Sequence, residues 1–304
     1  MKWNNKTVIS IGGGKGGIGK SCFAANLGAV IASRGKSVIL VDADLGGANL
    51  HTLIGIRYAQ KTLDDFTSGR CENLDEVLLN TPYTNLRLLS SANDILGIAV
   101  PSFKDRQRLY KGINSLDADV VIFDIAAGSN ERAIDFFSLA PFGIVVIEPT
   151  PTSLENAFSF YKNMMFRILL RMFYQNRELK EFIINISDPR TYGKFVPLDE
   201  IIEKLKDAAP HKISQFKALF DPKNLQLFTV INRLQNTNHM KIGENFIKIV
   251  KRYLSIDITL LGVLPYEKKM DEAIIQRIPV CIKYPQCAYS NGLMKCLQKL
   301  FLFF

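Results

Sequence analysis

Residues 14–21 read Gly-Lys-Gly-Gly-Ile-Gly-Lys-Ser. Before them runs a short β-branched stretch, Thr7–Ile11 (TVISI). After them, Ser21–Arg34 places Phe23, Leu27, Val30 and Ile31 on one helical stripe and ends at Gly35. A strand-to-helix junction is the context in which the spacing G-x-x-x-x-G-K-S makes a phosphate loop. Glycines there remove Cβ atoms, so that backbone N–H groups converge on phosphate oxygens. The helix start adds partial positive charge. Lys20 is expected to reach the β- and γ-phosphates and the Ser21 hydroxyl to bind Mg²⁺. Gly14, Lys15, Gly16, Gly17, Ile18 and Gly19 complete the expected nucleotide cradle, with Cys22 directly behind it.

Outward from the loop, the chain alternates two periods. Ser37–Val41, Leu86–Leu89, Val120–Phe123 and Ile144–Ile147 are short apolar runs, with helical segments between them. Leu225–Ile231 and Ile258–Val263 resume the pattern late in the chain. Continuous apolar runs of this kind predict an α/β fold: a three-layer, mostly parallel sheet of seven or eight strands with helices on both faces. The stretch between Ser153 and Asn224 has no strand alternation. It contains a basic, aromatic-rich helix at Phe158–Phe173 and two further helices at Pro197–Ala208 and His211–Phe220. A single domain over residues 1–304 with a helical insertion at 158–224 is expected.

Composition narrows the class. The 304 residues are 47% hydrophobic and 22% charged, which excludes a disordered or collagen-like chain. No apolar run approaches a membrane span, and the polar start predicts no secretory signal. Cys22, Cys71, Cys281, Cys287 and Cys296 are odd in number and include no CxxC pair, so reduced thiols in a cytoplasmic protein are expected. His51, His211 and His239 are isolated, without metal-ligand spacing.

Two more strands end in acids. Ser37–Val41 runs into Asp42-Ala43-Asp44-Leu45-Gly46-Gly47. Carboxylates at a strand's carboxyl end beside a phosphate loop sit where open α/β sheets bind ligands. Val121-Ile122-Phe123-Asp124 is followed by Ile125-Ala126-Ala127-Gly128, in which the Asp would hold Mg²⁺ or its water and Gly128 would let the loop approach the γ-phosphate. The guanine-type N-K-x-D is absent, since Asn232-Arg233-Leu234-Gln235 lacks the Asp, and this favours adenine.

KGGIGKS resembles the deviant Walker A motif of the MinD/ParA family of ATPases, and Asp124–Gly128 resembles that family's switch II. The resemblance spans about residues 6–150 and 225–290. It implies that Lys15 reaches across a homodimer interface to the partner's nucleotide, that Asp44 orients the attacking water, and that Asp42 lies near the Mg²⁺ shell. It implies that Asn232 and Arg233, with Pro265 of Leu264-Pro265-Tyr266-Glu267, border the adenine of ATP or ADP. Glu148-Pro149-Thr150-Pro151-Thr152 is similar to the FlhG/FleN branch. The chain differs from that branch in lacking a D-Q-A-x-x-L-R extension and in its longer stretch from Tyr161 to Asn224.

Charge is uneven. Residues 1–150 hold 15 Lys/Arg and 15 Asp/Glu, and residues 151–304 hold 23 and 14, so the whole net charge of +9 falls in the second half. An anionic partner is expected there, lipid or DNA. The end of the chain, Leu293–Phe304, gathers Lys295, Gln298 and Lys299 on one sector, with apolar residues elsewhere. An amphipathic helix at 290–304 is expected, either an interfacial membrane anchor or a last core helix. The leading expectation is an ATP-dependent dimerisation switch, a slow Mg-dependent ATPase with a protein activator. It would position a polar or membrane-associated structure, such as a flagellum or division site. The alternatives are a DNA-partition ATPase and a metabolic or metal-delivery enzyme on the same scaffold.

Overall fold

The computed structural model describes residues 3–44, 47–91, 103–236 and 240–303. The expectations placed on Leu45, Gly46, His239 and Phe304, and on the first two residues, lie outside that range.

Eight strands form one sheet: β1 Thr7–Gly12, β2 Val38–Ala43, β3 Leu78–Asn80, β4 Leu86–Leu89, β5 Val120–Ile125, β6 Phe142–Ile147, β7 Gln226–Leu234 and β8 Ile258–Pro265. Their order is β3-β4-β2-β5-β1-β6-β7-β8, parallel throughout except for β3 against β4. This is the expected mostly parallel sheet. Each strand feeds both faces. Val8, Val121, Phe123, Val145 and Ile147 belong to one apolar cluster, while Ile9, Ile11, Ile122, Ile144 and Val146 belong to the other. Continuous apolar runs are therefore required, because alternate side chains enter two different cores.

Lys20–Ser33 covers the second face, together with the C-terminal helix Ala288–Leu300. The first face carries Pro151–Met172, Leu198–Lys206 and Met240–Leu254, among others. The connection between β6 and β7 is wholly helical. The helix Pro151–Met172 starts earlier than its apolar stripe suggests, with Pro151 at its first turn. Its Met164, Met165, Phe166, Leu169 and the following Phe173 are core residues, so this stripe is not an open partner surface.

Of the two readings of the C-terminal helix, the structure takes the core helix. Leu293, Cys296, Leu297 and Leu300 are buried, packed on the side of β8. The Cys296 sulfur lies 2.7 Å from where a Cβ on Gly262 of β8 would stand, and Phe303 meets the Phe228 ring at 5.1 Å. Lys295, Gln298 and Lys299 are exposed, as the wheel implies. The apolar face that an anchor would insert is already occupied by the sheet. No helix among the described residues is long and apolar enough to cross a membrane.

Candidate functional site

The phosphate loop leaves β1 between β5 and β6, the two strands that flank β1. Gly17 and Gly19 hold φ of +77° and +87°, where a side chain is strained. Gly14 is needed for space: a Cβ there would stand 2.1 Å from the Asn156 carbonyl oxygen of the helix Pro151–Met172. The loop is tied at both ends. The Gly128 N–H donates to the Gly13 carbonyl at 3.2 Å, and the Asn232 amide nitrogen donates to the Ile18 carbonyl at 2.8 Å.

Lys20 is buried, and burial lowers its proton affinity against the opposing pull of Asp124 and Asp44. Asp124, at the end of β5, is fully enclosed. Burial pushes its carboxyl above the usual range, opposed by a hydrogen bond from Ser21 and the charge of Lys20. Its Oδ1 has no hydrogen-bond partner. An orphaned carboxylate oxygen beside the Ser21 hydroxyl is a hard-oxygen pair suited to Mg²⁺. These two residues fit the ion.

Asp42 also has a structural task. It faces Asp124 in register across the β2–β5 ladder and has no exposed surface. Its Oδ1 accepts the Asp44 N–H at 3.2 Å and its Oδ2 accepts the Leu50 N–H at 3.0 Å. Both oxygens thus hold the following loop. Burial, and then the charge of Asp124, raise its pKa well above the carboxylate range. Asp44 is half-buried, and its charge is felt by both Lys20 and Asp124. The structure therefore brings Lys20, Ser21, Asp44 and Asp124 together, with Asp42 as a strut beneath them. Lys15, Gly16 and Gly17 are exposed at the mouth.

Beside the loop lies a cavity of about 510 Å³. Its walls come from the carboxyl ends of β6, β7 and β8 and the helix Lys269–Ile275. Gly19, Cys22, Asn232, Arg233 and Pro265, all expected at the nucleotide, line it. Asn232 has its amide nitrogen engaged by the phosphate loop. Arg233 sits at φ +55° and pairs with Glu148 at 2.8 Å on the rim. The Cys22 thiol is pushed up to about 11 by burial and stays protonated. Tyr266 and Glu267, of the loop expected beside the adenine, also line it; sequence reasoning missed Met270, Asp271 and Ile274 as walls, and Tyr289, which arrives from the C-terminal helix. Met270, Asp271 and Ile274 follow that loop on the next helix and could have been named; nothing local marks Tyr289.

Comparison with known proteins matches this geometry. The sequence model described as the CobQ/CobB/MinD/ParA nucleotide binding domain matches residues 9–280. The antiactivator FleN of Pseudomonas aeruginosa is 30% identical over 214 residues, covering 65% of this chain and 75% of that protein. Curated MinD sequences match over about half their own length. The crystal structure of the cell division ATPase MinD of Pyrococcus furiosus has a TM-score of 0.63, with 98% of this chain and 99% of that chain covered at 20% identity. The MinD of Pyrococcus horikoshii, complexed with Mg-ADP, has a TM-score of 0.62, with 97% and 96% covered at 18% identity. At those identities the two structures establish a shared fold. By its phosphate loop, its strand-end acids and the match across residues 9–280, this chain belongs to the MinD/ParA family of P-loop nucleotide-binding proteins.

Proposed function

We propose that this protein is a slow, Mg-dependent ATPase working as a dimerisation switch, in which ATP closes two subunits face to face and hydrolysis lets them part. The observation that carries this is Lys15. It is exposed at the mouth of the loop and, among the described residues, makes no hydrogen bond or ion pair within its own subunit. The inner lysine position is already filled by Lys20, buried against two carboxylates. A second cation outside the cradle suits a charge delivered to the nucleotide of a facing subunit, where it would stabilise the developing charge of phosphoryl transfer. Mg²⁺ held at Ser21 and Asp124 would neutralise phosphate charge, and Asp44 would orient the attacking water. The base would enter the cavity bordered by Asn232, Arg233 and Pro265.

The output of such a switch is partner choice rather than a chemical product. The described role of FleN as an antiactivator supports a protein partner for this chain. We place its task in positioning a polar or membrane-associated structure, a flagellum or a division site, from the cytoplasm or the inner membrane surface. The test is Lys15→Ala, read by ATP binding and steady-state hydrolysis. Binding should survive while turnover falls on the order of a hundredfold or more. Turnover at the unmodified rate, or an ATP-loaded protein that stays monomeric at any concentration, overturns the reading.

A further inference from the structure

Three acids, Glu148, Glu267 and Asp271, line the cavity beside the phosphate loop, and they are not equivalent. Glu148 is held by Arg233 at 2.8 Å. Glu267 holds the first amides of two helices: its Oε1 accepts the Lys269 N–H and its Oε2 the Ala288 N–H, both at 3.2 Å. Asp271 makes no hydrogen bond or ion pair among the described residues, although its neighbour Glu272 is paired with Lys283 at 2.7 Å. It stands exposed in the first turn of Lys269–Ile275. An unpartnered carboxylate on the wall of a triphosphate site repels the ligand unless it accepts a hydrogen bond from it.

What Asp271 faces sets its place along the cavity. Gly19 and Cys22 mark the phosphate end, and Asn232 and Pro265 the base end. A nucleotide's sugar joins phosphate to base, so it crosses between them. The Cys22 thiol responds to burial first and then to the charges of Asp124, Arg233 and Asp271, so Asp271 is within electrostatic reach of that crossing. Met270 and Ile274, on the same helix, line a smaller recess together with Cys22, which fixes the helix at this height. We infer that Asp271 accepts a hydrogen bond from a ribose hydroxyl of the bound nucleotide and so selects ribonucleotides over deoxyribonucleotides. This rests on the nucleotide site assigned above and not on the dimer switch. The hydroxyl donates, and the negative charge of the acceptor strengthens the bond. A deoxynucleotide removes the donor and leaves the repulsion uncompensated. Because Asp271 is exposed, water replaces part of what is lost, so discrimination of about tenfold is expected, far below the roughly 10⁴-fold of buried hydroxyl-reading sites.

The test is titration calorimetry of the whole chain with Mg²⁺ and ATP, 2′-dATP or 3′-dATP. At least one deoxynucleotide should bind the unmodified protein about tenfold more weakly than ATP. Asp271→Ala should bring the three affinities together, and Asp271→Asn, which keeps a neutral acceptor, should leave an intermediate ratio. Ratios cancel the uniform gain from deleting a negative charge near phosphates, and a merely structural role would not move them. Glu272→Ala, at the adjacent acid turned to Lys283, should leave the ratio as it is. The inference is overturned if all three nucleotides bind the unmodified protein alike, if Asp271→Ala keeps the deoxy penalty, or if Glu272→Ala abolishes it equally. It is also overturned if Asp271→Ala keeps that penalty but loses the preference for ATP over ITP, which would assign the acid to the base. Binding of none of the three is a distinct result, which removes the nucleotide site itself and this inference with it.

Discussion

Replacing Gly14 by Ala tests how the phosphate loop is held. The added Cβ would stand 2.1 Å from the Asn156 carbonyl oxygen and 2.3 Å from its carbon, both backbone atoms of the helix Pro151–Met172. Heavy atoms need about 3.0 Å, so loop or helix must move by roughly 0.9 Å. Neither yields easily. The helix is packed through Phe160, Tyr161, Met164 and Met165, and the loop is tied through Gly13 to Gly128 and through Ile18 to Asn232. Overpacking of this kind costs about 1–3 kcal/mol. A shift of that size would also carry a loop N–H from about 2.9 Å to beyond about 3.5 Å from a phosphate oxygen. One charge-assisted bond lost, at about 1.5–3 kcal/mol, weakens ATP binding about 10- to 150-fold. Titration calorimetry with Mg·ATP and thermal melting measure the two effects separately. Gly17→Ala is the comparison: its Cβ meets nothing within 4 Å, so it carries only left-handed strain of about 1–2 kcal/mol. If Gly14→Ala melts normally and binds ATP within a factor of three, the packing argument fails. If it melts early but binds normally, the Gly14 amide is not part of the cradle.

Other consequences are simpler to state. Asp44→Ala should retain ATP and accumulate as an ATP-bound dimer in size-exclusion chromatography; rapid hydrolysis by this variant would remove Asp44 from the reaction. His51 has a buried Nδ1 with no partner, and burial, then the Arg277 charge, lower its pKa. The unfolded chain therefore takes up the proton first, so stability should decline modestly as pH falls below about 6.5. His51→Gln should flatten that decline in melts across pH 5–8, and an unchanged slope would discard the assignment. Leu300→Ala should cost about 2–5 kcal/mol in chemical denaturation. Leu302→Ala, at an 81% exposed position, should stay within about 0.5 kcal/mol; equal costs would contradict the docked helix.

Most of the sheet was legible because its strands are runs that must satisfy two cores at once. Where a polar residue ends an apolar run, the ladder continues beyond it: β2 and β5 extend through Asp42–Ala43 and Asp124–Ile125. Apolar content alone cannot show this, and those extra pairs are what bring the two aspartates together. β3 was invisible, being two half-exposed leucines and an exposed asparagine paired antiparallel at an edge. The helix Arg177–Ser187 was likewise passed over, although Asn176 caps it and Ile183 and Ile186 mark its buried side. At the site, the spacing of the loop announced its chemistry. The engagement of Asp42 by the Asp44 and Leu50 amides did not, because it depends on how the loop after β2 folds back. The tie from Asn232 to Ile18 joins residues 214 positions apart and is equally silent in one dimension.

The C-terminal helix shows how magnitudes decide between two readings of one amphipathic pattern. Leu293, Cys296, Leu297 and Leu300 are each at most 1% exposed. Burying a leucine-sized side chain is worth about 1.5–3 kcal/mol, so three leucines alone hold the helix to the sheet by roughly 5–9 kcal/mol. Releasing it would also uncover Tyr289 beneath the nucleotide cavity and the Phe228 ring under Phe303. A bilayer would return similar energy for the same side chains, leaving the exposed sheet as net cost. What stays most exposed at this end is Leu302, with Lys295 and Lys299 nearby, while Phe301 lies under the Arg34 guanidinium. That is less than the two independent signals that stable peripheral anchoring needs. Among the described residues, this end therefore offers one subunit little apolar surface to insert. Only pairing two such ends in a dimer would raise the avidity, which would make any membrane residence of this protein follow its nucleotide state rather than its sequence alone.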